Sequence, residues 1–137
     1  MKGKSMSRLT LYLARLIGLF SIIMVAVVLA RGSAAVMNAV ADPQAMFLYG
    51  VISLGLGVAM ILGHNVWSGG VLPVVVTLTG WLIFTKGVML LALTPEALQT
   101  VMQRMDYATN AQLYVLPALA IGVYLSWVGF TSDARRH

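Results

Sequence analysis

The sequence predicts an all-α integral membrane protein, a four-helix bundle built from two tandem helical hairpins with short interfacial amphipathic helices. Of its 137 residues, 60% are hydrophobic and only 9% are charged, a composition outside the range of soluble globular domains. Four apolar stretches approach or exceed the ~20 residues of helix that cross a bilayer. The second half of the chain also repeats the pattern of the first. We therefore treat residues 1–137 as a single membrane domain.

The charge balance narrows the class of partner. The net charge is +5 and the isoelectric point is about 10.0, but the basic residues gather at the two chain ends. That placement indicates membrane topology and attraction to anionic headgroups, so we expect the lipid bilayer and not nucleic acid as the partner. The chain has no cysteine, which excludes disulfides and thiolate ligands.

The first span covers residues 9–30. Basic residues precede it, and the single charge inside it is Arg15, whose guanidinium can extend back to the interface. A secretory signal is the alternative, because the basic start and the small residues at 30–35 loosely fit one. The apolar core is long for a signal, and the repeat described below also argues against one.

A polar connection and a second span follow. The connection has Ser33 as a candidate helix cap and Asp42-Pro43 as a stop, with a short interfacial helix between them. The second span, residues 46–62, is near the lower limit of length. One face of it carries only small residues, which would let another helix approach closely: Gly50, Ser53 and Gly57. The alternative is that glycine is simply common in membrane helices.

The third and fourth spans are separated by an amphipathic segment. The third, residues 71–93, follows a tight turn and tolerates Pro73 near its start. Thr94-Pro95-Glu96 then provides a cap, a first-turn proline and an acidic residue for a short amphipathic helix. The fourth span, residues 113–130, carries a second ridge of small residues: Ala118, Gly122 and Ser126.

An internal repeat relates residues 9–62 to residues 71–130. Residues 16–20 align with 78–82 at an offset of 62, and residues 47–58 align with 112–123 at an offset of 65. Each unit crosses the membrane twice, so the two copies would be parallel and related by a pseudo-twofold axis along the membrane normal. We expect the second and fourth spans to pack near that axis, flanked by the first and third. Chance similarity between apolar segments is the alternative.

The distribution of lysine and arginine predicts that both termini are cytoplasmic. Six of these residues lie on the side of the membrane that holds the termini: Lys2, Lys4, Arg8, Arg15, Arg135 and Arg136. Three lie on the other side: Arg31, Lys86 and Arg104.

The turn between the second and third spans contains the candidate functional residues His64 and Asn65. A histidine here could be a pH-sensitive group, a proton relay or a ligand of haem or a metal. The alternative is that His64 and Asn65 cap the end of the second span and the amides of the turn. Because the other histidine, His137, lies in the tail, we expect neither a cofactor nor a metal site.

Three tryptophans and one lysine complete the candidate residues. Trp67 and Trp127 belong at one interface as anchors, whereas Trp81, near the middle of the third span, is expected to pack against neighbouring helices. Lys86 lies about two turns before the end of the same span. It either extends toward the interface or faces the bundle and pairs with Asp42, Asp106 or a carbonyl, which would mark a polar cavity.

Ala14-Arg-Leu-Ile-Gly-Leu-Phe20, His64-Asn-Val-Trp67, Gly80-Trp81 and Lys86-Gly87 together resemble a family of small, uncharacterised four-helix membrane proteins of proteobacteria. The resemblance covers most of the chain. It implies four spans and location in the bacterial inner (plasma) membrane, and it carries no function. Residues 86–130 are also similar in layout to short two-helix membrane proteins of unknown function.

The sequence contains no Ser-His-Asp set, no paired intramembrane carboxylates and no phosphate-binding glycine loop, so we do not expect an enzyme. The leading hypothesis is an accessory or scaffold subunit that acts through helix–helix association, with itself or with a larger membrane complex. The alternatives are a small oligomeric transporter or channel and, third, a haem- or quinone-binding protein with His64 as ligand.

Overall fold

The computed structural model describes residues 7–134, which form six α-helices. Three helices and most of a fourth are long and apolar enough to cross a membrane, as the sequence predicts: α1, α3, α4 and residues Tyr107–Ser132 of α6. Lys2, Lys4, Arg135, Arg136 and His137, which enter the predictions above, lie outside the described residues. The helices run as follows: α1 Arg8–Arg31, α2 Ser33–Ala41, α3 Pro43–Gly63, α4 Val71–Ala92, α5 Pro95–Arg104 and α6 Tyr107–Ala134.

Local capping explains where several helices begin. Thr94 Oγ1 accepts a hydrogen bond from the Ala97 amide at 3.3 Å, and Pro95 is the first residue of α5, which confirms the predicted cap. Asp42 ends α2, as predicted, but it also caps α3 directly, because its Oδ1 accepts from the Gln44 amide at 2.9 Å.

The connection after α1 differs from the prediction at Ser33. Gly32, with φ of +78°, separates α1 from α2 and occupies the cap position that we predicted for Ser33. The Ser33 hydroxyl instead donates to the Ala108 carbonyl at 3.1 Å and so ties α2 to the start of α6. The fourth long helix also begins earlier than predicted, at Tyr107, with a kink at Asn110.

The four long helices form two antiparallel pairs, in which α3 packs along α4 and α1 packs along α6. Glycines allow the close approach. A Cβ on Gly57 would lie 2.5 Å from the backbone of Phe84, and a Cβ on Gly122 would lie 2.9 Å from Ser21 Cβ. The predicted small faces are therefore packing faces, with Gly50 against Leu90 and Leu91 in the same way. Ala118, however, is exposed.

The arrangement of the pairs corrects two expectations. Within each repeat unit the two spans were expected to form a hairpin, but the main partner of α1 is α6 and that of α3 is α4. The small faces of α3 and α6 were expected near the axis, yet the contact between the pairs is made by α4, mainly with α1 and to a lesser extent with α6. The physical reason is that glycines on α4 and α1 let the backbones approach: Gly87 meets the backbone of Leu54 on α3, and Gly18 meets Ser126 on α6.

Two apolar clusters lie at opposite ends of the long helices, and the larger one joins the two pairs. The larger cluster, which we call the turn-side core, lies where α1 begins and the α3–α4 turn is found: Leu11, Ala14, Ile17, Met60, Leu72, Val76 and Leu125. The second, which we call the short-helix core, lies at the other end under α5: Met46, Leu90 and Leu98. Helices α2 and α5 contact each other on that side.

The repeat offsets map one helix pair onto the other. Gly57 faces Phe84 in the α3–α4 pair. Gly122 lies 65 residues after Gly57, Ile22 lies 62 residues before Phe84, and these two residues face each other in the α1–α6 pair. Burial follows the same offsets: α1 buries Ala14, Gly18 and Val25, and α4 buries their counterparts Val76, Gly80 and Gly87. This is the correspondence that a duplication would produce, and the duplication itself stays an interpretation of the sequence.

We predict that Gly57→Ala lowers the free energy of unfolding in detergent by about 1–3 kcal/mol, because the added methyl group meets the Phe84 backbone. Gly55→Ala is the matched control on the same helix. Nothing lies within 4 Å of its Cβ, so the substitution should be neutral or stabilising, since alanine favours helix over glycine. Denaturant titration followed by circular dichroism measures both, and equal effects would contradict the close approach.

Candidate functional site: a buried histidine at the α3–α4 turn

His64 stands at the end of α3, where the helix gives way to the turn that leads into α4. Its backbone N–H donates to the Met60 carbonyl at 2.7 Å, which closes the last turn of α3. The turn then reverses through Gly69 and Gly70, whose φ angles of +95° and +127° suit glycine alone. The His64 side chain is only 3% exposed, so its polar ring requires internal partners.

Both ring nitrogens of His64 have a threonine hydroxyl as partner. Nε2 lies 2.9 Å from Thr10 Oγ1 on α1, and Nδ1 lies 3.2 Å from Thr77 Oγ1 on α4. Thr10 and Thr77 are themselves buried, at 3% and 1% exposure. One imidazole therefore links three helices, and it does so beside the turn-side core.

The hydrogen bonds of Thr77 determine the tautomer of His64. The Thr77 hydroxyl donates to the Val66 carbonyl at 2.9 Å, and Thr77 Oγ1 accepts from the Val66 amide at 3.0 Å. A hydroxyl has a single proton, so Thr77 can only accept from His64. We therefore assign the proton of the neutral imidazole to Nδ1, on the basis of its hydrogen-bond partners.

The assignment continues toward the start of α1. With the proton on Nδ1, Nε2 is an acceptor, and the Thr10 hydroxyl donates to it. Thr10 Oγ1 then accepts from the Ser7 hydroxyl at 2.9 Å, while Ser7 Oγ accepts from the Thr10 amide at 3.1 Å as the cap of α1. The donors of this chain all point one way, from Ser7 through His64 to the Val66 carbonyl.

This hydrogen-bonded chain joins the beginning of α1 to the α3–α4 turn. A second proton on His64 would make Nε2 a donor, which would require the Thr10 and Ser7 hydroxyls to reverse. Because threonine hydroxyls occupy both nitrogens, neither is offered to a metal or a haem iron. Among residues 7–134, no three His, Asp or Glu side chains come close enough together to hold a metal ion.

The neighbours of His64 in the turn have other partners than those expected. The Trp67 indole donates to Asn65 Oδ1 at 2.7 Å, and both side chains are exposed. Asn65 therefore does not cap the turn with its side chain; Thr77 does, through Val66. Thr10 and Thr77 were missed because their distances from His64 in the sequence, 54 and 13 residues, give no local signal.

Lys86 and Trp81 lie on the outward face of α4. Lys86 is exposed and, within the part of the chain that the structure describes, forms no ion pair or hydrogen bond through its side chain. Asp42 caps α3 and Asp106 accepts from Asn110 at 3.3 Å, and neither forms the ion pair with Lys86 that one alternative expected. Trp81 was expected to fill space between helices, but it is 39% exposed and meets Phe84 of its own helix edge to face, with 6.0 Å between ring centroids.

A shallow apolar groove runs along the α1–α6 pair. Its volume is about 400 Å³, and Trp127, 71% exposed, forms one wall. Ser126 lies at its floor, and its buried Oγ has no hydrogen-bond partner among the described residues. At the end of the groove nearest the chain termini, Arg15 Nε donates to the Gly129 carbonyl at 2.9 Å and its guanidinium lies 5.1 Å over the Phe130 ring. The lining residues are Ile22, Val123, Ser126, Trp127, Phe130 and Thr131.

The fold and this site define a class of protein by geometry: an all-helical chain with four helices able to cross a membrane and a histidine held between threonines. No protein-family model, curated protein or solved structure matches the chain.

We predict that Thr77→Val lowers the free energy of unfolding by about 1–3 kcal/mol, because it leaves the His64 Nδ1–H and both polar groups of Val66 without their partner. Thr85→Val is the control on the same helix, since the Thr85 hydroxyl is exposed and donates only to Trp81 of its own helix. Its effect should stay within about 0.5 kcal/mol. An equally small effect at Thr77 would show that the chain through His64 does not stabilise the fold.

Proposed function

We propose that the protein is a small multi-pass protein of the bacterial inner membrane and a non-enzymatic accessory or scaffold subunit that acts through helix–helix association. The observation that carries the proposal is the engagement of His64. Its two nitrogens bond Thr10 and Thr77, so the residue best suited to chemistry instead holds α1 against the α3–α4 turn. Because these buried polar groups hold the helices of the protein together, we place its contact with a partner on the outer surface.

The surface supports the same proposal. The groove between α1 and α6 is apolar, about 400 Å³ in volume, and walled by Trp127, so it can accept side chains of a neighbouring helix. The glycine faces of the chain are engaged in its own pairs, with Gly57 against Phe84 and Gly122 against Ser21. Contact with a partner would therefore use the outward faces rather than the small-residue ridges that the sequence pointed to.

Native mass spectrometry of the protein, extracted in mild detergent from its own membrane, tests the proposal. We expect a foreign subunit at fixed stoichiometry, and no Soret absorbance on the same haem-replete sample, because both nitrogens of His64 are engaged. A homo-oligomer without a chromophore would overturn the proposal in favour of an oligomeric transporter or channel, to be tested by flux through reconstituted vesicles. A Soret band lost in His64→Ala would overturn it in favour of a haem protein.

The proposed orientation places both termini in the cytoplasm, because lysine and arginine are concentrated on their side of the chain. A reporter that is active only in the periplasm should be inactive when fused after His137 and active when inserted between α2 and α3. The reverse pattern would contradict the orientation and leave the four spans in place.

A further inference from the structure

Lys86 is a cation on the exposed surface of α4, with an apolar residue one turn away on either side. Its neighbours one turn away on the same face are Leu82, 63% exposed, and Met89, 42% exposed. Lys86 is exposed too, and its ammonium has no partner within residues 7–134. If α4 spans the membrane, as the proposed function requires, this charge faces lipid or another protein.

In a membrane-spanning α4, Lys86 would lie inside the hydrocarbon layer of the bilayer. It lies six residues before Ala92, the last residue of α4. At a rise of about 1.5 Å per residue, its Cα is about 9 Å below the end of the helix. A charge at this depth is costly and calls for an interface or an opposite charge within reach.

The direction of the side chain favours an opposite charge over the near interface. In an α-helix every Cα–Cβ bond tilts toward the N-terminus. Lys86 is close to the C-terminal end of its helix, so its side chain starts out toward the middle of the membrane and would have to turn back to reach the headgroups. Arg15 is the contrasting case, because it lies near the N-terminal end of α1 and its Cβ tilts toward the nearer interface.

A second copy of the chain does not supply the matching carboxylate. Three of the four acidic residues lie at or beyond the ends of the long helices on the α2–α5 side: Asp42, Glu96 and Asp106. Of these, Asp42 caps α3 and Asp106 accepts from Asn110. The fourth, Asp133, stands at the opposite end of α6 from the level of Lys86. None is placed along a long helix at the depth of Lys86.

We propose that the outward face of α4 around Lys86 binds a transmembrane helix of a different protein, one that carries an aspartate or glutamate within the half of the bilayer on the α2–α5 side. The carboxylate pairs with the Lys86 ammonium, and the apolar surface of that helix packs on Leu82 and Met89. Charge complementarity selects the partner, because an unpaired carboxylate in the membrane is as unfavourable as an unpaired lysine. This inference rests on the proposed accessory function and names the chemistry of its partner.

The internal correspondence of the two helix pairs provides a matched substitution. The residue 62 positions before Lys86 is Met24 on α1, which is also outward-facing and 43% exposed. Lys86→Met therefore gives α4 the residue that the outward surface of α1 already carries at the equivalent position. For this reason we expect the variant to fold. Lys86→Arg keeps the charge.

The test compares the full-length protein with Lys86→Met and Lys86→Arg, each isolated from its native membrane, with the bound subunit quantified by mass spectrometry. We expect Lys86→Arg to retain the partner and Lys86→Met to lose it by at least about tenfold. A photo-crosslinker at Leu82 should then locate the partner helix. Replacing the carboxylate of that helix by the amide should cause the same loss of binding. Combining this change with Lys86→Met should cause no further loss. Unchanged circular dichroism and thermal unfolding of Lys86→Met establish that it is folded.

The outcomes separate the two proposals. A wild-type protein that brings no foreign subunit overturns the accessory function and this inference with it. A partner that binds wild type and Lys86→Met equally overturns this inference alone. Modification of Lys86 in the intact complex by a membrane-impermeant amine reagent, read from the peptide that contains it, would show that its ammonium reaches the headgroups, and that result would also overturn the inference.

Discussion

Close contact between helix backbones is the constraint on which this structure depends. In an apolar medium there is little hydrophobic force between helices, so they are held by van der Waals contact, which requires small residues where they cross. Gly57 against Phe84 and Gly122 against Ser21 are such crossings, one in each antiparallel pair. A side chain at either glycine would push the pair apart, and the clusters at both ends would lose their packing.

The chain of hydrogen bonds through His64 complements these contacts, because it joins the two pairs where backbone contact is sparse. Thr10 belongs to the α1–α6 pair, whereas His64 and Thr77 belong to the α3–α4 pair. Buried polar groups must be satisfied, so this connection is specific in a way that the apolar contacts around it are not. It constrains the position of α1 relative to α4 at the end of the molecule where His64 lies.

The two pairs share their packing and differ in their polar residues. Arg15 on α1 corresponds to Thr77 on α4, and each donates to a backbone carbonyl: Arg15 to Gly129 within α6, and Thr77 to Val66 in the turn after α3. Lys86 corresponds to Met24. Apolar contacts at glycine thus follow the internal correspondence, while the charged and polar positions depart from it. Those departures distinguish the two outward surfaces, because α4 carries an exposed charge at Lys86 where α1 carries Met24.

The sequence by itself determined the helices, because length, apolar composition and local caps such as Thr94-Pro95 are properties of short segments. It also identified Gly57, Gly122 and His64 as unusual. Only the tertiary structure decided what each one meets. A helix face made of small residues does not specify which helix will pack against it. The pairing of α3 with α4 and of α1 with α6 could therefore not be derived from local sequence. For the same reason Thr10, 54 residues from His64, appeared as its partner only when the chain was folded.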